Sequence, residues 1–403
     1  MAGFDIKAEN KMSRKSQITM LMIVGLVLFI IISLVLYLSK STVKKQSQQS
    51  IKKTQETAIE TQPVKEFVVK CMDKLGKDAV VLLGRQGGYI YTSQGGTLVD
   101  YQDTDEGLFF INYNDLNVAY NILPPKFAVS PYSSEIPDYP WQTFPYRTAS
   151  SNAEVFDGFF GISNMPPLND SEGPNSIQAQ IESFIDSNIA DCVDTSIFEK
   201  QGLDVEMQQP KTSVIIGSGD ITIATKMPMS ITNKNTNEFA ELDEFTATLN
   251  IGLKDVYFFA KELIENDISN IKFNISDIKN SKNFININLI KGIFSSDDLI
   301  IITGEKSLIY GKPYEYIFAR RNRAPALYYI RKNTLEFPHN FEINQSTLLK
   351  NYELNAEDPD EDNLAFTITP QLPKVLNVPQ IKFKVEVSDA QFSDYQIITV
   401  NRK

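Results

Sequence analysis

Histidine, cysteine and tryptophan are nearly absent from this chain, with one His, two Cys and one Trp in 403 residues. A lone His339 excludes multi-histidine metal centres. With no Gly-x-Ser-x-Gly elbow beside it, it also argues against a Ser-His-Asp hydrolase. Two cysteines cannot furnish a four-ligand structural zinc site by themselves. The cluster Gly84-Arg85-Gln86-Gly87-Gly88 lacks both a Walker Lys-Ser/Thr and a preceding strand. It therefore reads as a helix-ending turn and not as a phosphate cradle.

Charge is unevenly spread. The formal net charge is −11, yet residues 1–53 hold nine of the 39 Lys and Arg against Asp5 and Glu9 only. The remaining 350 residues carry 30 positive and 48 negative charges, a balance of −18. Such a surface repels a phosphate backbone, which speaks against a nucleic-acid partner. The basic front instead flanks Ile18 to Leu38, a run of 21 residues without a charge. At about 1.5 Å per residue the run covers about 31 Å, the thickness of a bilayer's hydrocarbon core. It ends in Tyr37-Leu38-Ser39-Lys40, a poor cleavage site, so the sequence predicts an uncleaved transmembrane helix with the lipid bilayer as a partner. Four basic residues precede the run and five follow it in residues 40–54, a near tie under the positive-inside rule.

Residues 39–62 are polar and read as a stalk. Pro63 then opens a helix in which Val64, Phe67, Val68, Cys71, Met72, Leu75, Ala79, Leu82 and Leu83 recur at helical period. A second amphipathic helix spans about 175–195, with Ile177, Ile181, Phe184, Ile185, Ile189 and Cys192 on one face. Val256–Asn266 reads as a third helix. Gly217-Ser218-Gly219-Asp220 joins two predicted strands in a hairpin. Further strands are expected at Phe245–Leu249, Ile271–Ile275, Phe284–Ile293, Leu299–Thr303 and Tyr314–Ala319. Residues 121–147 hold six prolines and six aromatics, which excludes a central strand or helix. That stretch reads as an ordered loop, or as a groove using Tyr132, Tyr139, Trp141 and Tyr146 as platforms.

From residue 15 to 320 the chain resembles uncharacterised archaeal membrane-anchored surface proteins. The resemblance rests on Cys71 before Gly84, Gly87, Gly88 and Tyr89, and on Cys192 before Gly202 and a hairpin. Arg14-Lys15-Ser16-Gln17 before an apolar helix also resembles an archaeal prepilin signal, though Ser16 stands where Gly is usual and Leu21 where pilins carry Glu. From Asn322 the text changes to short alternating strands, which argue a β-sandwich over 321–403. Asn322-Arg323-Ala324-Pro325, Asp358-Pro359-Asp360 and the closing Val385-Glu386-Val387-Ser388-Asp389 resemble cadherin-like and putative immunoglobulin-like modules. That resemblance implies extracellular spacing or adhesion.

Asp358, Asp360 and Asp362 present hard oxygens at alternate positions, so this turn is a candidate calcium site; a solvated turn is the plainer reading. The EF-hand pattern fails, because Asn363 replaces the turn glycine and Thr369 stands where a bidentate Glu belongs. Cys71 and Cys192 are either buried thiols or an interhelical disulfide, and in an exported domain the disulfide is favoured. Sequons at Asn169, Asn274 and Asn344 are compatible with export.

The sequence thus predicts an α+β chain in five segments: basic residues 1–17, a transmembrane helix at 18–38, a stalk at 39–62, a mixed α+β extracellular body at 63–320, as one domain or two poorly separated ones, and an immunoglobulin/cadherin-like sandwich at 321–403. The expected function is a non-enzymatic structural or adhesion protein, single-pass in the cell membrane with its C-terminal region outside. Protein partners or self-association are expected at the surface. One rival is a pilin-like or envelope-lattice subunit assembling through its N-terminal helix. Another is a carboxylate-based hydrolase using Asp103, Asp105 or Glu106.

Overall fold

Alternation of apolar and polar residues recurs along the described chain, and strand is accordingly its commonest regular element. The structure is a computed structural model. It describes residues 61–125 and 160–403, except 278, 280, 283, 329, 331–333, 345, 347, 349, 351–353, 372–373 and 376. The described residues are 41% strand and 25% helix, so the protein is mostly β, which corrects the α+β expectation. The excess arises because strands run well past their apolar centres, as in Ile221–Asn233 and Asp297–Ile309. Among the described residues no helix is long and apolar enough to cross a membrane. The run 18–38, the Arg14–Gln17 signal, and Tyr132, Tyr139, Trp141 and Tyr146 lie outside the described residues.

Helix α1 (Gln62–Arg85) carries Pro63 in its first turn, where a missing N–H costs nothing. Its buried stripe runs from Val64 through Val68, Cys71, Met72, Leu75, Ala79 and Leu83. The helix ends where Gly87 and Gly88 adopt φ of 75° and 92°, and Gly88 N–H donates to Leu83 O at 2.9 Å. Strands β1 (Phe110–Tyr113), β2 (Leu116–Leu123) and β3 (Ile162–Ser163) follow. Helix α2 (Ile177–Cys192) is capped by Ser176, which accepts from Ala179 N–H at 3.1 Å. The short helix α3 is Ser196–Glu199.

Strands β4 (Leu203–Met207), β5 (Lys211–Ile216), β6 (Ile221–Asn233) and β7 (Phe239–Leu249) form one sheet centred on β6. The Gly217–Asp220 turn closes β5 and β6, with Gly217 N–H donating to Asp220 O at 2.8 Å. After α4 (Leu253–Ser269) come β8 (Ile285–Phe294), β9 (Asp297–Ile309) and β10 (Lys312–Arg320). They complete a second sheet in the order β1-β2-β10-β9-β8, with β3 also on β2. β2 and β10 pair in parallel. The expected strand at Ile271–Ile275 is instead a pair of turns.

Helix α1 lies against both sheets because it carries two glycines on its packed side. A Cβ on Gly76 would meet Leu249 of β7 at 2.9 Å, and one on Gly84 would meet the Tyr314 ring of β10 at 2.6 Å. The other face of the β1–β2–β10–β9 sheet gathers Ile111, Val118, Tyr120, Leu299, Ile317 and Ala319 into a separate core.

The C-terminal module runs through β11 (Ala326–Leu327), β12 (Thr334–Phe337), β13 (Glu342–Ile343), β14 (Ala356–Glu357), β15 (Ala365–Thr369), β16 (Lys374–Val375), β17 (Gln380–Ser388) and β18 (Ser393–Arg402). Its main sheet has the order β12-β18-β17-β15, and the pairs β11–β14 and β13–β16 stand apart from it. Leu335, Phe337, Ile343, Leu348, Phe383, Val385, Val387, Ile398 and Val400 make one apolar core between these elements. Thr232–Ala240 belong to a different compact unit from Thr61–Ile231 and Glu241–Lys403. Taken by themselves they form a hairpin end, in which Asn237 N–H donates to Asn233 O at 2.8 Å.

Candidate functional site: a buried arginine–aspartate joint

Strand β10 ends in a charge that is not at the surface. Arg320 closes a strand whose last five residues are all buried, and its side chain is 1% exposed. Three residues on, Arg323 is 0% exposed. A guanidinium removed from water is tolerated only with close counter-charges and satisfied donors. Here the counter-charges come from three parts of the chain: Asp267 on α4, Asp298 on β9 and Asp360 in the acidic turn of the C-terminal module.

Arg320 donates from Nη1 to Asp267 Oδ1 at 2.9 Å and from Nη2 to Asp298 Oδ2 at 2.6 Å. Its Nε lies 3.1 Å from Asp360 Oδ1 without hydrogen-bond alignment, so that contact is Coulombic. Arg323 grips Asp360 more fully. Its Nη2 donates to Oδ1 at 2.7 Å, its Nε to Oδ1 at 3.0 Å, and its backbone N–H to Oδ2 at 2.7 Å. Its remaining donors go to Phe160 O and Pro359 O, both at 2.9 Å. Burial, the largest influence, pulls both guanidinium groups down. Asp360, Asp267 and Asp298 together outweigh it at Arg320, and Asp267 and Asp360 do so at Arg323, leaving both above the ordinary value.

Around this cluster lies a second layer of hydrogen bonds. Asp297 accepts from Tyr120 Oη at 2.5 Å and from Asn322 N–H at 2.8 Å. Asn322 Nδ2 donates to Asp389 Oδ2 and to Gln391 Oε1, both at 3.0 Å. Asp394, 1% exposed, accepts from Leu327 N–H at 2.8 Å. The body and the C-terminal module therefore meet through a polar seam whose charged centre is dry.

The three aspartates of the acidic turn have different tasks. Asp360 belongs to the arginines. Asp358 organises the turn, its Oδ1 accepting from Asp360 N–H at 2.8 Å and Asp362 N–H at 3.1 Å. Glu361 takes φ of 58°, a left-handed conformation that glycine adopts more readily. Burial first, and the Asp360 charge second, push Asp358 up to about 7 and Asp362 up to about 6. Asp358 Oδ2 and Asp362 Oδ2 are buried without a hydrogen-bond partner. Those two oxygens fall short of the six to eight that Ca²⁺ takes, roughly speaking. Among the described residues no group of three or more His, Cys, Asp or Glu is placed to hold a metal ion. The donor set here does not fit calcium, and a guanidinium pair occupies the carboxylate that a cation would need.

Cys71 of α1 and Cys192 of α2 are joined in a disulfide, with Cα atoms 5.8 Å apart and the two residues 121 positions apart in the sequence. Twelve residues earlier on α2 than Cys192, the buried Gln180 fixes the chain after α1: its Nε2 donates to Gly88 O at 2.9 Å and its Oε1 accepts from Ile90 N–H at 2.5 Å. Asp103, Asp105 and Glu106 sit on or beside an exposed 3-10 turn. Asp105 accepts from Gln102 N–H at 2.9 Å and Glu106 from Asn112 N–H at 3.3 Å. His339 is exposed and pairs with Arg402 at 3.0 Å. These side chains are not brought together.

The chain matches no family model, and no curated protein is found similar to it.

Sequence reasoning treated Asn322-Arg323-Ala324-Pro325 as a module signature and passed over Arg320, Asp267 and Asp298. A signal was present. Arg320 ends the apolar run Tyr316-Ile317-Phe318-Ala319, and Asp297-Asp298 open Leu299-Ile300-Ile301-Ile302. Charges abutting fully apolar strands call for buried partners.

Proposed function

We propose that this chain is a non-enzymatic structural or adhesion protein of the cell surface, whose body and C-terminal module act as one stiff piece. The observation that carries the reading is the joint at Arg320 and Arg323. A linker between independent modules is ordinarily polar, solvated and short of contacts. Here the end of β10 and the linker after it each carry a buried cation, Arg320 and Arg323, gripped by aspartates from other elements, so bending at the joint would expose or unpair them. That cost suits a protein that transmits load or sets a fixed spacing. The Cys71–Cys192 bond supports the extracytoplasmic placement, since such bonds persist in oxidising compartments.

An epitope tag placed after Lys403 tests the placement, read by antibody on intact cells together with thiol titration of protein from those cells. A reachable tag and no free thiol are expected. A tag reached only after lysis, or two titratable thiols, overturns the surface reading. Small-angle scattering tests the stiffness: the full chain should show one inter-module distance, and Arg323→Ala a broadened one.

A further inference from the structure

The tip of the β9–β10 hairpin is tied to helix α1 at two points, and a cavity is built around them. The turn is Tyr310-Gly311, with φ of 51° and 77°, a two-residue loop whose left-handed backbone matches the twist of paired strands. Behind the turn the register slips: Pro313 lies opposite Leu308, but Tyr314 lies opposite Gly304. Residues in excess on one strand bend a hairpin locally, here between its tip and the body of the sheet. Tyr310 Oη at the tip donates to Asp78 Oδ1 at 2.7 Å. Further along α1, Gly84 admits the Tyr314 ring and the Glu315 carbonyl. Asp78, Val81 and Arg85 stand at i, i+3 and i+7, on one face of the helix.

These elements line a cavity of about 520 Å³, inside the range of about 300–1,000 Å³ usual for small-molecule sites. Val81, Ile309 and Pro313 give it apolar wall, while Arg85, Lys312 and Glu315 bring charge. Among the described residues neither Arg85 nor Lys312 has an ion-pair partner. Two cations against one carboxylate leave the lining net positive, in a chain whose residues 54–403 carry a balance of −18. Tyr314 also lines the cavity and is 2% exposed. Its hydroxyl is buried without a hydrogen-bond partner among the described residues, where a buried hydroxyl ordinarily has one.

We propose that this cavity binds a small amphipathic organic anion, a carboxylate on an apolar body of one or two rings. Arg85 and Lys312 hold the carboxylate, and Val81, Ile309 and Pro313 cover the body. The class of ligand follows from the lining. Apolar wall favours an apolar body, and a guanidinium takes a carboxylate through paired donors. A cationic ligand would gain from Glu315 alone and meet two like charges, and a neutral one would leave both cations unanswered. Because Tyr310 is already bonded to Asp78, the walls are set before a ligand arrives, which lowers the cost of binding. The cavity lies at the opposite end of β10 from Arg320 and does not depend on the function proposed above.

Isothermal titration calorimetry of the full-length protein with 1-naphthoate tests it, beside the neutral isostere 1-naphthamide. A single saturable site with a Kd on the order of 100 µM is expected, and the amide should bind at least about tenfold more weakly. Arg85→Gln with Lys312→Gln should weaken naphthoate at least about tenfold at an unchanged urea midpoint. Glu315→Gln removes the like charge and should tighten naphthoate about twofold, a gain that misfolding cannot imitate. No saturable binding up to about 2 mM, equal affinity for the amide, a folded double variant as tight as wild type, or a weaker Glu315→Gln would overturn the proposal.

Discussion

Arg323 holds Asp360 at both oxygens, 2.7 Å from side-chain Nη2 to Oδ1 and 2.7 Å from its own backbone N–H to Oδ2. The two stand 37 positions apart in the chain. A carboxylate gripped by one residue's side chain and main chain together is fixed in position and angle, and with it the whole acidic turn. Breaking that grip on one side leaves a charge in a dry site. Arg323→Ala should therefore cost about 3–5 kcal/mol in urea unfolding, the scale for an orphaned buried partner. Arg323→Lys keeps the charge but loses the fork, and should recover only part of the loss. A variant within about 0.5 kcal/mol of wild type would show the joint to be solvated.

Acidification should stabilise this protein between neutral pH and about pH 5, unlike a protein held by depressed carboxylates. Asp358 and Asp394 are pushed up to about 7 and Asp362 up to about 6, all chiefly by burial. The folded state keeps protons on them that the unfolded chain releases near the ordinary carboxylate value of 3.8. Their contribution is thus full below that value and is lost as pH rises through about 6 to 7. Urea midpoints at pH 5 and pH 8 check the sign. Asp394→Asn should flatten the profile, because the amide cannot ionise while its oxygen still accepts from Leu327 N–H.

The disulfide ties α1 to α2 across a long loop. In the chain-entropy account, closing 121 residues contributes about 5 kcal/mol. Cys71→Ser with Cys192→Ser should lower the urea midpoint accordingly, without changing the slope with denaturant by much.

Gly84 marks the closest approach of α1 to β10. A methyl group there would press on the Glu315 carbonyl and the Tyr314 ring. Gly84→Ala should cost about 1–3 kcal/mol despite its better helix propensity, by overpacking. A neutral or stabilising result would mean that helix and strand can part at little cost.

Because guanidinium groups hold Asp360, calcium has little left to bind at the acidic turn. Adding about 1 mM Ca²⁺, or removing it with EDTA, should leave the melting temperature within about 1 °C. A rise of several degrees would show that the turn can exchange cations.

Much of the fold could be read from local pattern. The period of Val64 to Leu83 located α1, the stripe from Ile177 to Cys192 located α2, and Gly217–Asp220 located the β5–β6 hairpin. The Val385–Val387 alternation likewise marked a strand of the C-terminal core. Those features depend on neighbours along the chain, which periodicity records. The expected strand at Ile271–Ile275 is a pair of turns instead, because Ile271 is buried with Phe160, Ala324 and Ala326 and not in a sheet. The partners of the acidic turn were not legible for a related reason. Alternating aspartates look alike whether they face water, a metal or an arginine, and the deciding partners lie at least 35 residues away in sequence.

By itself the sequence determined the three long helices, the β5–β6 hairpin, the acidic balance and the change of texture near Asn322, all of which follow from residue-to-residue spacing. Only the tertiary structure decided that strand outweighs helix. It also set the parallel pairing of β10 with β2 and closed Cys71 on Cys192. The role of Asp360 was settled the same way, when folding carried Arg320 and Arg323 out of water and left carboxylates as the groups able to balance their charge.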